Sequence, residues 1–192
     1  MVRTAYELFT ERGYPATTMG AIAERAGVAV QTLHFTFGTK AALLQNTYDY
    51  AVLGEGEQRP PELQPWYGAF LNAETLSGAL RILMDNVAEV MARTAPLDDF
   101  VRSASHEPDA ARIRSHTEML RRRAWNGMIE SLAGRFGLRR YDQRQAVDIL
   151  MLLMSPASYQ ILVSECGWTT EQWRTWCTQA VRLQLFAEGT RR

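Results

Sequence analysis

The chain has 192 residues, enough for one large domain or two small ones with a substantial core. Its 21 lysines and arginines balance 21 aspartates and glutamates, so net charge argues neither for nor against a nucleic-acid partner, and any basic surface must be local. Cys166 and Cys177 form no CxxC pair, His106 and His116 lack metal-pair spacing, no signal-peptide pattern opens the chain, and the longest dense apolar run, Ile149–Met154, is too short to cross a bilayer. A reduced, cytoplasmic protein without zinc or cofactor is therefore expected.

Helical spacing recurs throughout and strand signals are scarce, which predicts an all-α protein of about nine helices. A first helix near Val2–Arg12 places Val2, Ala5, Leu8 and Phe9 on one face and stops at Gly13. Thr17 or Thr18 caps a second, which ends at Gly27 and turns Ile22, Ala23 and Ala26 inward. A third spans about Ala29–Thr36. Thr39 caps a fourth that carries Leu43, Leu44, Tyr48 and Val52. Residues 54–65, beginning Gly54-Glu-Gly-Glu-Gln-Arg-Pro-Pro, read as a loop and a domain boundary, dividing a domain of residues 1–50 from one of residues 51–192.

The second domain opens with a helix over Leu76–Arg93, with Leu76, Leu80, Leu83, Val87 and Met91 in register, followed by a shorter one near Leu97–Ser105. Pro108 starts a long helix to about Phe136, with a stripe of Ile113, Leu120, Ala124, Met128 and Leu132. Asp142 caps the next, which is apolar on almost every side over Val147–Met154 and so is expected to be widely buried; Pro156 kinks or ends it. Gly167-Trp-Thr-Thr turns the chain into a last helix, capped by Thr170 and carrying Trp173, Trp176, Cys177, Ala180, Leu183 and Phe186. The basic run Arg121-Arg-Arg reads as a solvated helix face.

The informative stretch runs from Thr17 to Lys40. Two short helices meet at Gly27, where a residue without Cβ can take positive φ. Ala23, Val28 and Leu33 sit where one small and two apolar residues lock the pair at an angle, leaving the outer face of the second helix to enter a major groove. Here the chain resembles the TetR family of repressors. The match begins at Glu7-Leu-Phe-Thr-Glu-Arg-Gly-Tyr, continues through Ala16-Thr-Thr and Ile22-Ala-Glu-Arg-Ala-Gly-Val, and ends at Thr32-Leu and Phe37-Gly-Thr-Lys-Ala-Ala-Leu, covering about residues 2–44. The tryptophan-rich C-terminal part resembles one subgroup of the family more weakly. The resemblance implies an N-terminal helix-turn-helix domain, a larger helical bundle with a ligand cavity, and a homodimer formed by the last two helices.

By the same resemblance, Thr18, His34 and Lys40 match phosphate-contacting positions, Val30, Gln31 and Thr32 match positions at the base edges, and Phe35 matches a frequently aromatic one. Elementary chemistry agrees for several. Thr18 and Lys40 lie at helix N-termini, where backbone N–H groups favour phosphate. Gln31 suits adenine, and Val30 and Thr32 suit a thymine methyl. The chain departs from the family pattern at His34 (usually Tyr), Thr36 (usually His) and Val30 (often polar or basic). Across residues 1–50, Arg3, Arg12, Arg25 and Lys40, the only lysine of the chain, are balanced by Glu7, Glu11, Glu24 and Asp49. Modest affinity that leans on base contacts is expected.

In the second domain Met84, Val87, Met91, Phe100, Trp125 and Met128 are candidates to line an apolar effector cavity. The helices around Val147–Met154 and Trp173–Phe186 are candidates for the dimer interface. The leading reading is a repressor that binds palindromic operator DNA as a homodimer and is released by a small apolar effector. The neutral helix-turn-helix leaves a second reading open, a small-molecule-binding helical protein without DNA recognition. No nucleophile–base pair, metal spacing or phosphate loop supports an enzyme.

Overall fold

The computed structural model describes residues 1–54, 61–103 and 108–186, and every regular element among them is helical. The chain divides into two compact units, each discontinuous in sequence: residues 1–58 with 93–115, and residues 59–92 with 116–192.

The first unit contains α1 (Val2–Arg12), α2 (Met19–Ala26), α3 (Val30–Phe37) and α4 (Lys40–Leu53), together with the later part of α6 (Leu76–Ser103) and the beginning of α7 (Pro108–Phe136). Its core joins Ala5, Leu8 and Phe9 of α1, Ile22 and Ala23 of α2, Leu33 of α3 and Leu43, Leu44, Tyr48 and Ala51 of α4 to Leu97, Val101 and Ile113. In the first four helices these are inward positions that the helical period predicts, except that Ala51 was not expected, and the expected Val2, Ala26 and Val52 are only partly buried. Of the two candidate caps for α2, Thr18 does the work: its hydroxyl accepts from the Ala21 N–H at 3.1 Å. Thr17 is buried and donates to the carbonyls of Leu8 and Gly13.

The two helices expected on either side of Pro96 are one continuous α6. A proline inside a helix removes one hydrogen bond and crowds the preceding turn. Here Ala95, Leu97 and Val101 are all buried, and packing on both sides of the proline holds the helix together. Residues 104–107, which include the expected end of the shorter helix and His106, lie outside the described residues, as do residues 55–60 of the expected loop.

The second unit holds a 3₁₀ turn at Pro61–Leu63, α5 (Pro65–Asn72), the rest of α6 and α7, α8 (Gln143–Leu153), α9 (Pro156–Tyr159), a π-helical turn at Gln160–Glu165 and α10 (Thr170–Leu185). Helix α5 was not expected from the sequence; Pro65 occupies its first turn, where a missing N–H costs nothing. On the second-unit part of α7 the buried side chains are Trp125, Met128, Ile129 and Leu132, whereas Leu120 is exposed. All five tryptophans, Trp66, Trp125, Trp168, Trp173 and Trp176, belong to this unit.

Asp142 caps α8 in a reciprocal capping box with Gln145. The helix is not buried all round: Val147 and Leu150 point inward, while Leu152 is 72 % exposed. Pro156 ends it, with Ser155 capping the short helix that follows. Residues 143–165 are long and apolar enough, by length and composition, to cross a membrane, but the helical backbone breaks before Pro156, and Asp148 pairs with Arg122 of α7 at 2.5 Å.

The last helix separates its apolar residues by spacing. Trp173, Cys177, Val181 and Leu185 are buried, whereas Trp176 and Leu183 are exposed. Its cap is Thr169 rather than Thr170, because Thr169 can share a capping box with Gln172 three residues on. Burial pushes the Cys177 thiol up to about 12, so it stays protonated and packs as a small apolar group.

Candidate nucleic-acid interface

The turn between α2 and α3 is built by the backbone. Gly27 takes the left-handed conformation, with φ 67° and ψ 31°, and its N–H bonds to the last turn of α2. The Val28 N–H reaches back to the Ala23 carbonyl at 3.0 Å, which closes a Schellman-type end. With Ile22, Ala23 and Leu33 buried beneath it, α3 is held by its inner face only.

The outer face carries the residues singled out from the sequence. Gln31, Thr32, His34, Phe35 and Thr36 are exposed and Val30 is half-buried. Phe35 is 94 % exposed, the extreme among the large apolar side chains described. The helical period puts Gln31 and Phe35, four apart, at the centre of this face, with His34 and Thr32 on its flanks. The Thr36 hydroxyl donates to the Thr32 carbonyl at 2.8 Å. The His34 Nδ1 lies 3.1 Å from the Gly38 carbonyl oxygen. Thr18 is exposed at the start of α2.

The cations around this face are engaged within the protein. Arg25 makes a two-pronged contact with Glu11, at 2.6 and 2.9 Å, and approaches Glu7 at 3.6 Å. The Arg25 hydrogen bond holds the Glu11 carboxyl below the usual carboxylate range. Arg3 lies 3.8 Å from Glu7. Lys40, at the start of α4, turns its ammonium onto the carbonyls of Tyr14 and Thr17, each at 2.9 Å, and over the Tyr14 ring at 4.1 Å from its centre.

That ammonium cluster extends further. The Tyr14 ring stacks on Phe100 of α6, with ring centres 4.2 Å apart. The Arg93 Nε donates to the Ala51 carbonyl at 2.7 Å, which satisfies a carbonyl in the last turn of α4. Tyr6 donates to the Arg93 carbonyl, and Tyr48 to Asp98. Tyr14 and Arg93 were not singled out from the sequence for any contact, and Thr17 only as a candidate cap of α2. Their partners are distant along the chain, and no local spacing marks them.

Lys40→Met is therefore expected to lower the stability of the first unit by about 2 kcal/mol, since it removes a charged donor from two carbonyls and a cation from an aromatic face. Denaturant unfolding of the variant measures this, and an unchanged midpoint would show that the ammonium adds nothing to the fold.

In the second unit Met84, Val87, Met91, Trp125 and Met128 are all buried. The Trp125 indole N–H is buried and meets no acceptor among the described residues. Phe100, the sixth candidate, belongs to the first unit, where its ring stacks on Tyr14. On the surface of the second unit, a cleft of about 250 Å³ is lined by Met84, Asp85, Arg174 and Thr178 among others, and Arg174 there joins Asp85 to Glu171.

A short helix pair of this kind, with a buried inner face and an open second helix, defines a helix-turn-helix domain, followed here by a larger helical unit. Residues 2–47 match the family described as Bacterial regulatory proteins, tetR family. A comparison with curated protein sequences finds no match. Among solved structures, a candidate TetR-family regulator from Mesorhizobium loti superposes with a TM-score of 0.71 at 16% identity, covering 97% of this chain and 95% of the other. A candidate transcriptional regulator from Saccharomonospora viridis, in complex with choline, gives 0.70 at 15% identity over 97% and 96%. The fatty acid degradation regulator FadR from Bacillus halodurans gives 0.68 at 15% identity over 99% and 94%. Residues 2–47 thus match the TetR-family model, and the chain as a whole shares the fold of these solved structures.

Proposed function

We propose that the chain is a cytoplasmic, ligand-responsive repressor that binds palindromic operator DNA as a homodimer and is released by a small, mostly apolar effector. The observation that carries this reading is the outer face of α3. An aromatic ring that is 94 % exposed stands there among hydrogen-bonding side chains, on a helix anchored by the fully buried Leu33. Such a surface suits a groove whose base edges offer methyl groups, donors and acceptors. In this reading Gln31 pairs with adenine, Val30, Thr32 and Phe35 meet thymine methyls and sugar, Thr18 and His34 approach phosphates, and Lys40 reaches one only by leaving the Tyr14 and Thr17 carbonyls.

Exposed apolar side chains support the dimer. Leu152, Ile161, Trp176 and Leu183 are 72, 47, 37 and 48 % exposed, on α8, the π-helical turn and α10. A second copy would cover them and set two recognition helices about 34–36 Å apart. For the effector, Met84, Val87, Met91, Trp125 and Met128 offer adaptable apolar walls, and the Trp125 N–H offers one donor for an acceptor atom on the ligand. The S. viridis neighbour holds choline, an instance of this fold taking up a small molecule. The effector would favour a dimer whose recognition helices no longer match the half-site spacing.

Selection of bound duplexes from a random pool tests the reading. The expected result is an inverted repeat bound in a salt-sensitive manner, and a pool that shows no enrichment would refute it. Gln31→Ala is expected to relax preference at one base step by about 1–3 kcal/mol. The engaged state of Arg25 and Lys40 favours the second reading, a small-molecule binder without DNA recognition. Native mass spectrometry showing a retained metabolite, together with no DNA binding at low salt, would select it.

A further inference from the structure

The first unit contains a cavity of about 260 Å³ between the end of α1, the loop that follows it and α6, lined by Phe9, Thr10, Tyr14, Leu97, Asp99 and Phe100 among others. All of these residues belong to that one unit. Three aromatic rings supply much of its wall. Tyr14 stacks on Phe100 with ring centres 4.2 Å apart, and its centre lies 5.4 Å from that of Phe9. The volume falls just under the range of about 300–1,000 Å³ usual for ligand pockets, so an occupant must be small.

The polar groups narrow the chemistry. The Asp99 carboxylate is the one charged group in the lining, to which no lysine, arginine or histidine contributes. Among the described residues Asp99 has no hydrogen-bond or ion-pair partner, whereas its neighbour Asp98 accepts from Tyr48. The Thr10 hydroxyl directs its proton to the Tyr6 and Glu7 carbonyls, at 2.9 and 3.0 Å, and so offers a ligand only its lone pairs. Lys40 lies over the Tyr14 ring, but its ammonium is held by two carbonyls and is not part of the lining. A carboxylate and a hydroxyl oxygen that both accept call for a ligand that donates, and a positively charged donor gains most from the carboxylate. The aromatic wall calls for an apolar body. We propose that this cavity binds a small primary amine with an aromatic body, its ammonium donating to Asp99 and its body lying against Phe9, Tyr14 and Phe100. The unit that carries α2 and α3 then has a ligand site of its own, apart from the effector candidates of the second unit.

This inference does not depend on the DNA-binding reading, and its test uses no DNA. The full chain is titrated calorimetrically at neutral pH with phenethylamine, with phenylethanol, which keeps the body without the charge, and with phenylpropanoate, which reverses the charge. Phenethylamine is expected to bind about tenfold or more tighter than phenylethanol, the worth of one hydrogen bond to a charged group, and phenylpropanoate not to bind. Asp99 is exposed, so Asp99→Asn should melt like the unaltered chain when no ligand is present. It should weaken phenethylamine by about tenfold and leave phenylethanol unchanged. Phenethylamine that does not bind at millimolar concentration, or binds no tighter than phenylethanol, overturns the inference. Equal affinity for phenethylamine in the unaltered chain and in Asp99→Asn overturns it as well, because the binding then lies elsewhere in the molecule.

Discussion

Leu33→Ala is expected to cost the first unit about 3 kcal/mol of stability, whereas Phe35→Ala, two residues along the same helix, leaves stability within about 0.5 kcal/mol and lowers DNA affinity by about tenfold or more. The contrast follows from exposure. Leu33 is 0 % exposed and is the one fully buried side chain of α3 in the core shared with α1, α2 and α4. Truncating it removes apolar contact and leaves a cavity that short helices close only in part. Phe35 is 94 % exposed, so the fold gains almost nothing from its ring. Denaturant unfolding followed by circular dichroism measures the first quantity, and anisotropy with the enriched duplex measures the second. A Phe35→Ala variant as destabilised as Leu33→Ala would show that the ring packs on the protein. Unchanged affinity would remove Phe35 from the interface.

Trp173→Ala is expected to produce the largest loss in the second unit, about 4 kcal/mol. Its side chain is completely buried, and its indole N–H donates to the Ser158 hydroxyl at 3.1 Å. Its ring meets Tyr159 edge-on at 5.3 Å, and the Tyr159 hydroxyl lies 2.6 Å from the Thr170 hydroxyl. The residue thus ties α10 to α9, across the π-helical turn that separates them. Trp173→Phe should keep most of the packing and lose only the N–H bond, about 1 kcal/mol. Calorimetry of the two variants separates the contributions, and equal losses for Ala and Phe would mean that the hydrogen bond, rather than the volume, matters. Because Trp176 lies on α10 and Ile161 on the π-helical turn that follows α9, sedimentation of Trp173→Ala should also show weaker self-association.

The parts of the molecule legible in the sequence are those with a short-range cause. Gly27 ends α2 because the turn needs positive φ, and Ile22, Ala23 and Leu33 are buried because a period of 3.6 residues puts them on one face. The exposed positions of α3 follow from the same arithmetic. Contacts between distant residues left no such mark. Lys40 reaches a carbonyl 26 residues away, and Arg93 reaches one 42 residues away. A lysine at the start of a helix invites a phosphate assignment, and only the fold shows its ammonium on backbone oxygens. Pro96 reads as a helix breaker in isolation, yet burial on either side of it keeps α6 whole. The local pattern put the cap of α10 at Thr170, and the reciprocal bond with Gln172 places it at Thr169 instead.

Placing all five tryptophans in the second unit has a spectroscopic consequence. In the first unit the aromatic residues are phenylalanines and tyrosines, among them Tyr6, Tyr14, Tyr48 and Tyr50, so intrinsic emission excited near 295 nm (about the red edge of indole absorption, where aromatic packing such as that of buried Trp173 and Trp125 governs the signal) arises from the effector-binding candidate unit alone. A quencher or an energy-transfer label on a DNA duplex would then act as a separate reporter for the helix-turn-helix, and the two halves of the molecule could be followed in one cuvette without adding a dye to the protein.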